Sequence, residues 1–149
     1  MSNVEIKNKK ASHLFEIEEK FIAGIQLRGT EIKSIRKGKA SLIDSYCYFR
    51  NNELWIQGMH IAEYGHGTHF NHEPKRLRKL LLNRKELRKL YRKTKEKGYT
   101  IIALRVFLSE NNLAKVEIAL AKGKKKYDKR EEIKRKDMKR DMERLHKYR

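Results

Sequence analysis

Three histidines, His66, His69 and His72, recur at every third position within a glycine-containing stretch of the chain. Three imidazoles are enough in number to hold zinc. Yet no helical H-E-x-x-H pattern and no cysteine accompanies them, so they read as loop histidines that face solvent or meet phosphate when protonated. Gly29, Gly38 and Lys39 have the residue types of a phosphate-binding loop. Their spacing misses G-x4-G-K-S/T, and the intervening residues carry a helical pattern, so the glycines read as helix ends. Cys47 is the only cysteine. It lies among aromatics with no base in reach along the sequence, which fits a buried thiol better than a nucleophile. No Ser/His/Asp set or spaced carboxylate pair stands out. No catalytic residue, metal site or cofactor is expected.

Positive charge is the stronger signal. The chain of 149 residues has 38 Lys and Arg against 19 Asp and Glu, a formal net charge of +19. Such a balance points to nucleic acid first and an anionic membrane surface second. Asn8, Lys9, Lys10 and His13 form one basic cluster. Arg76, Arg78 and Lys79 form another beside the apolar triplet Leu80–Leu82. Tyr64 and Phe70, on the long segment between, are of the type that stacks on bases. Neutralising phosphates releases counterions, so several clusters add affinity together. One cysteine excludes an internal disulfide framework, and no apolar run reaches the 18 or so residues of a membrane span. A reduced-compartment, soluble, cytoplasmic protein with no membrane partner is expected, and it is expected to be a monomer.

Charge is densest at the end. Residues 121–149 hold 14 Lys and Arg and 6 Asp and Glu, with only Ile133, Met138, Met142 and Leu145 as larger aliphatic side chains. Ordering 29 residues costs on the order of 30 to 60 kcal/mol, and this segment has no core of its own to offset that. It is expected to be disordered alone and to fold on an anionic partner. Its pattern is nonetheless helical. Asp128 and Glu131 match a capping box, and Glu131 with Arg135, Glu132 with Lys136 and Glu143 with Lys147 are correctly oriented pairs. A helix over 128–149 would run about 33 Å. Gly123 reads as the hinge that separates it from the body. The domain division is therefore 1–122, an RNA-binding body, and 123–149, a basic tail.

The body must position the clusters. Residues 1–12 read as polar and flexible. His13–Leu27 reads as one bent strand, with Gly24 supplying a bulge or a close backbone approach. A short helix follows, with Thr30 as N-cap, Ile32 and Ile35 facing inward, and Gly38 at the C′ position. Ser41–Arg50 and Glu53–Ile61 read as a hairpin around Asn51-Asn52. Residues 62–75 read as a long loop. A second helix starts from an Asn83/Glu86 capping box, has the apolar stripe Leu87, Leu90 and Tyr91, and ends at Gly98. Strands over 99–108 and 113–121 complete the body. This order predicts a mainly β fold with short helices, a small closed antiparallel barrel with rim helices; an open antiparallel sheet is the alternative.

Several of these segments together resemble the SsrA-binding protein family, the small protein B of bacterial trans-translation. The resemblance runs through N-K-K-A at 8–11, L-R-G-T-E-I-K-S-I-R at 27–36, D-S-Y at 44–46, R-K-L-L-L at 78–82 and A-K-G-K-K-K-Y-D-K-R at 121–130. It implies an oligonucleotide-binding-type barrel that binds the tRNA-like domain of transfer-messenger RNA. It also implies delivery of that RNA, with elongation factor Tu, to stalled ribosomes. The RNA-facing residues would include Asn8, Lys9, His13, Leu81 and Lys115. Glu31, Lys33 and Arg36 match the signature, either as contacts or as support of the first helix. Gly123, Lys124, Lys125, Tyr127, Asp128, Lys129 and Arg130 would engage the decoding centre, and the remainder, with Met138 on its apolar ridge, would lie in the empty mRNA channel. Ile22 stands where many members have Glu, so a contact made by that carboxylate is not available here. Tyr127 replaces a histidine seen in some relatives, a mild change of one ring for another. A structural ribosomal or rRNA-binding protein is the alternative function.

Overall fold

The computed structural model of the protein describes residues 4–65 and 71–123. Among the described residues nine strands and three helices follow one another: β1 (Glu5–Lys7), α1 (Ala11–Leu14), β2 (Phe15–Ile25), α2 (Gly29–Arg36), β3 (Ala40–Ser41), β4 (Tyr46–Arg50), β5 (Glu53–Gln57), β6 (His60–Ile61), β7 (Arg78–Leu81), α3 (Arg84–Thr94), β8 (Tyr99–Leu108) and β9 (Ala114–Gly123). Strands β8, β4, β5, β7, β2 and β9 pair in that order, and β9 pairs back to β8. The ring is closed and antiparallel, which removes the exposed sheet edges that an open sheet would carry. β1 lies on β8 beyond the single β4 rung, and β3 with β6 makes a separate two-stranded sheet. The closed barrel, not the open sheet, is the fold.

Alternation sets the interior. Phe21 and Ala23 of β2, Leu54 and Ile56 of β5, Leu80 of β7, Ile101, Ala103 and Val106 of β8, and Val116, Ile118 and Leu120 of β9 fill the barrel. Each fully buried Leu or Ile contributes roughly 1.5 to 3 kcal/mol over leaving it in water. A smaller apolar cluster sits outside the ring, where Ala11 of α1 covers Ile102, Ala119 and Ala121. α2 lies at the barrel end that bears the β8–β9 turn, since Arg36 donates to the Asn112 carbonyl at 3.2 Å. α3 lies at the other end, where Lys89 reaches Glu19 near the start of β2 at 2.7 Å. Leu90 of α3 is fully buried against the core.

Several expectations meet their residues. Asn51 and Asn52 both have positive φ, 52° and 63°, and join β4 to β5 in a two-residue turn. The Asn83 side chain accepts from Glu86 N–H at 2.9 Å, a cap worth about 1 kcal/mol. Gly38 and Gly98 carry positive φ after their helices.

Others are corrected. Residues 4–12 are not a flexible lead: Ile6 packs on the core, and the Asn8 N–H and amide donate to the Leu104 and Ala103 carbonyls. His13 and Leu14 belong to α1, and the β2 irregularity falls between Ile17 and Glu19, not at Gly24. Arg28, not Thr30, is the N-cap of α2: its backbone is extended and its N–H donates to Glu31, while Thr30 lies inside the helix with its hydroxyl on His72 at 2.8 Å. The run 41–50 is split by a turn at Asp44 (φ 62°), and the run 53–61 by Gly58 (φ 82°). A Cβ on Gly58 would stand 2.8 Å from the Asp44 carbonyl oxygen, so the two turns fit only with glycine there. Arg78–Leu81 is a strand that closes the ring, where only a basic cluster was expected. β9 continues to Gly123, which pairs with Phe15, so Gly123 is the last rung of the barrel and not a hinge outside it.

Candidate nucleic-acid interface

Strands β7, β2 and β9 present one outward surface. Their register sets Gly24 of β2 opposite both Leu81 of β7 and Lys115 of β9. Ile22, two residues back along β2, points the same way and is 46% exposed, and Leu81 is 44% exposed. Gly24 keeps this surface low: a Cβ there would come within 3.3 Å of the Leu81 Cβ. Lys115, Glu117 and Ala119 share the outer face of β9. Ala119 is among the residues that Ala11 of α1 covers, and Lys9 and His13, which flank Ala11 in sequence, are both exposed. Lys79, also outward, is held 2.7 Å from Glu53. Two exposed aliphatics around a glycine, rimmed by Lys20 and Lys115 and with Lys9 and His13 exposed on the neighbouring α1 segment, make a shallow cationic surface with an apolar centre. Such a surface can press on sugars and bases while cations meet phosphates.

Asn8 does not face outward for recognition alone. Both its N–H and its amide tie the chain to β8, and that anchoring aims Lys9 and α1.

The signature segment builds a different structure. Glu31 is 0% exposed and accepts from Arg28 N–H at 2.7 Å, from Arg76 Nη2 at 2.7 Å and from Arg78 Nε. Arg78 is likewise 0% exposed, and its other guanidinium nitrogens donate to the Met59 and Pro74 carbonyls at 2.8 and 3.1 Å. Burial pushes the Glu31 carboxyl up, but hydrogen bonds from Arg76, Arg28 N–H and Arg78, together with the Arg78 charge, hold it below its ordinary 4.5. Burial lowers Arg78, and Glu31 opposes that shift. The pair is ionised and fully hydrogen-bonded, the one form in which buried charges are tolerated. Neither residue has surface to offer RNA. Of the two roles open to Glu31, contact or support of the first helix, its burial fits support, and Arg78 of the basic cluster is buried with it: together they lock α2 to β7. Arg76, the partly exposed partner, reaches the Gln26 carbonyl as well, at 3.4 Å.

A second tie fixes α2 from below. The Ile61 carbonyl can only accept, so His72 Nε2 donates to it at 2.9 Å and Nδ1 accepts from Thr30. His72 is thus a buried structural group, not a solvated loop residue. His66, His69 and Phe70 lie outside the described residues. Among the described residues no cluster of three or more His, Cys, Asp or Glu could hold a metal ion. The buried Cys47 thiol is pushed up to about 12 by burial, so it is a neutral core group at pH 7.

What α2 presents, once locked, is cationic. Lys33 and Arg36 are exposed, and Lys33 and Lys37 stand 5.5 and 5.1 Å from the Tyr64 ring centroid. Of the predicted tail residues only Gly123 is described. Lys124, Lys125, Tyr127, Asp128, Lys129, Arg130 and Met138 lie outside the described residues. The sequence marks Gly24 for its backbone freedom, and its place at the centre of the outer surface appears only from the strand register. No helix among the described residues is long and apolar enough to cross a membrane.

The comparisons agree with this architecture. An SsrA-binding protein of Phocaeicola vulgatus is 58% identical over 144 residues, covering 97% of this chain and 96% of its own. That of Cytophaga hutchinsonii is 59% identical over 145 residues, covering 97% and 95%. A solved structure described as "tmRNA-SmpB: a journey to the center of the bacterial ribosome" superposes with a TM-score of 0.71 at 40% identity, over 87% of this chain and 94% of that one. The family model for SmpB protein matches residues 5–148. With the closed barrel, the locked signature helix and nearly full-length identity in hand, the chain belongs to the SmpB protein family.

Proposed function

We propose that this protein is an RNA-binding adaptor of trans-translation that holds the tRNA-like domain of transfer-messenger RNA on the outer β2–β7–β9 surface. The observation that carries the proposal is the juxtaposition of Ile22, Gly24, Leu81 and Lys115 on one exposed, low surface. The names of the relatives, SsrA-binding proteins, support the RNA, and the solved neighbour with tmRNA supports the ribosome as the place of action. Lys33 and Arg36 on α2 supply phosphate contacts, with Glu31, Arg76 and Arg78 as the support behind them. The protein works as a cytoplasmic monomer without cofactor, and elongation factor Tu joins through the RNA.

The tail is the second surface. Its role rests on sequence: Lys124, Lys125, Tyr127, Asp128, Lys129 and Arg130 engage the decoding centre, and the following helix, with Met138 on its apolar side, occupies the empty mRNA channel. The physical logic is exclusion, since a basic segment enters an anionic channel only when no other polyanion fills it.

Leu81→Glu tests the barrel surface. An exposed strand position tolerates the change within about 0.5 kcal/mol, while the new carboxylate repels phosphate. The expected result is a loss of at least about tenfold in affinity for the tRNA-like RNA, measured by filter binding, with an unchanged unfolding midpoint. Unchanged affinity would remove this surface from the interface.

A further inference from the structure

A basic, aromatic groove lies between α3 and the tip of the β4–β5 hairpin, at the barrel end opposite α2. It is lined by Phe49, Asn52, Arg84, Leu87, Arg88 and Tyr91, none of which belongs to the surface already assigned. Its volume of about 280 Å³ falls just below the range of roughly 300–1,000 Å³ for drug-sized ligands. It has room for one flat ring system.

Only part of the charge on this face is used by the fold. Lys89 pairs with Glu19 at 2.7 Å, and Lys93 lies 3.9 Å from Glu96. Among the described residues Arg84, Lys85, Arg88 and Arg92 form no ion pair, and all four are exposed. Arg84 and Lys85 sit in the first turn of α3, where a cation opposes the helix dipole, and the spacing of Arg84 and Arg88 adds like-charge repulsion. Helix stability therefore does not account for them. Arg84, Arg88, Tyr91 and Lys95 follow one another at steps of four, three and four, which places them along one helix face. Tyr91 is 40% exposed; Phe49 meets it edge-on at 5.3 Å, and the Lys95 ammonium stands 4.3 Å from its ring centroid.

We propose that this groove binds an unpaired nucleotide in a single-stranded segment of RNA. The base lies on the Tyr91 ring in place of the Lys95 ammonium, and Lys95 turns to a phosphate. Arg84 and Arg88, about 6 Å apart along the helix, meet successive phosphates, and the Asn52 amide stands at the rim to hydrogen-bond the base edge. An acidic peptide would satisfy the arginines but leave the flat aromatic floor idle; a nucleotide uses both. A paired base has both faces covered by its neighbours and cannot enter. This inference goes beyond the adaptor function, because it concerns a different face and a different RNA element.

The test uses the full chain with a fluorescent single-stranded oligoribonucleotide carrying one 4-thiouridine, beside a duplex of equal length. Tyr91→Leu changes no charge, and it is expected to weaken single-strand binding about tenfold while leaving duplex binding within about twofold. Tyr91→Phe is expected to bind like the parent. Photocrosslinks from the 4-thiouridine are expected in Phe49–Asn52 or Arg84–Lys95. Crosslinks confined to other segments, together with single-strand affinity that ignores Tyr91→Leu, would overturn the proposal. So would equal losses for strand and duplex, or an acidic peptide bound with the same dependence on Tyr91.

Discussion

Glu31→Ala is expected to lower the thermal unfolding midpoint by on the order of 10 to 20 °C. Removing the carboxylate leaves Arg78 at 0% exposure with its charge unpaired, and Arg28 N–H without its acceptor. Breaking a buried pair from one side costs about 3 to 5 kcal/mol, because the remaining charge stays desolvated. The midpoint follows from the few degrees that each kcal/mol moves a domain of this size. The same pair gives the protein an acid limit. Glu31 titrates below its ordinary 4.5 when folded, so its contribution is complete above that pH and is lost as pH falls towards the depressed folded value. Glu31→Gln is expected to flatten that acid limb. Glu31→Met combined with Arg78→Met is expected to recover much of the stability, since an apolar pair carries no desolvation cost. Calorimetry across pH 3 to 7 reads all three, and a midpoint unchanged by Glu31→Ala would contradict the locked-helix account.

Truncation after Gly123 is expected to separate the two surfaces. β9 ends at Gly123, whose rung with Phe15 closes the strand, so the cut spares the barrel. It removes residues 124–149, the segment in which the chain's basic residues are densest. Non-specific RNA affinity is expected to fall and its salt dependence to flatten, because fewer counterions are released. Selection of the tRNA-like RNA over duplex RNA is expected to persist, because Ile22, Gly24, Leu81 and Lys115 are untouched. Peptide tagging on stalled ribosomes is expected to drop to background. Filter binding and an in-vitro tagging reaction read the two separately. Equal loss of both would contradict a tail with its own task.

Much of the fold is legible where a local rule suffices. The Asn51-Asn52 turn, the Asn83/Glu86 cap and the alternation of Val116, Ile118 and Leu120 are local, and the structure keeps each. β7 is hidden from a local reading because Arg78 takes an inward core position, and a charge there masks the alternation. Only Glu31, distant in sequence, turns that arginine into a core residue. β1 has one half-buried apolar side chain, Ile6, too little to signal a strand. Asp44 breaks an otherwise strand-like run by a positive φ that its residue type permits but does not announce. The candidate interface divides in the same way. Leu81 and Lys115 were named through resemblance, while their meeting across Gly24 needs the register of three strands. Whether Glu31 faces RNA or protein is decided by burial, which no spacing reveals.

The central claim, that the barrel surface selects one RNA, is tested most directly by sequencing the RNA that co-purifies with the full chain and with Leu81→Glu. The account predicts one small RNA with a tRNA-like end, dominant with the parent chain and depleted with Leu81→Glu. Fragments of ribosomal RNA in the same proportions for both would contradict it.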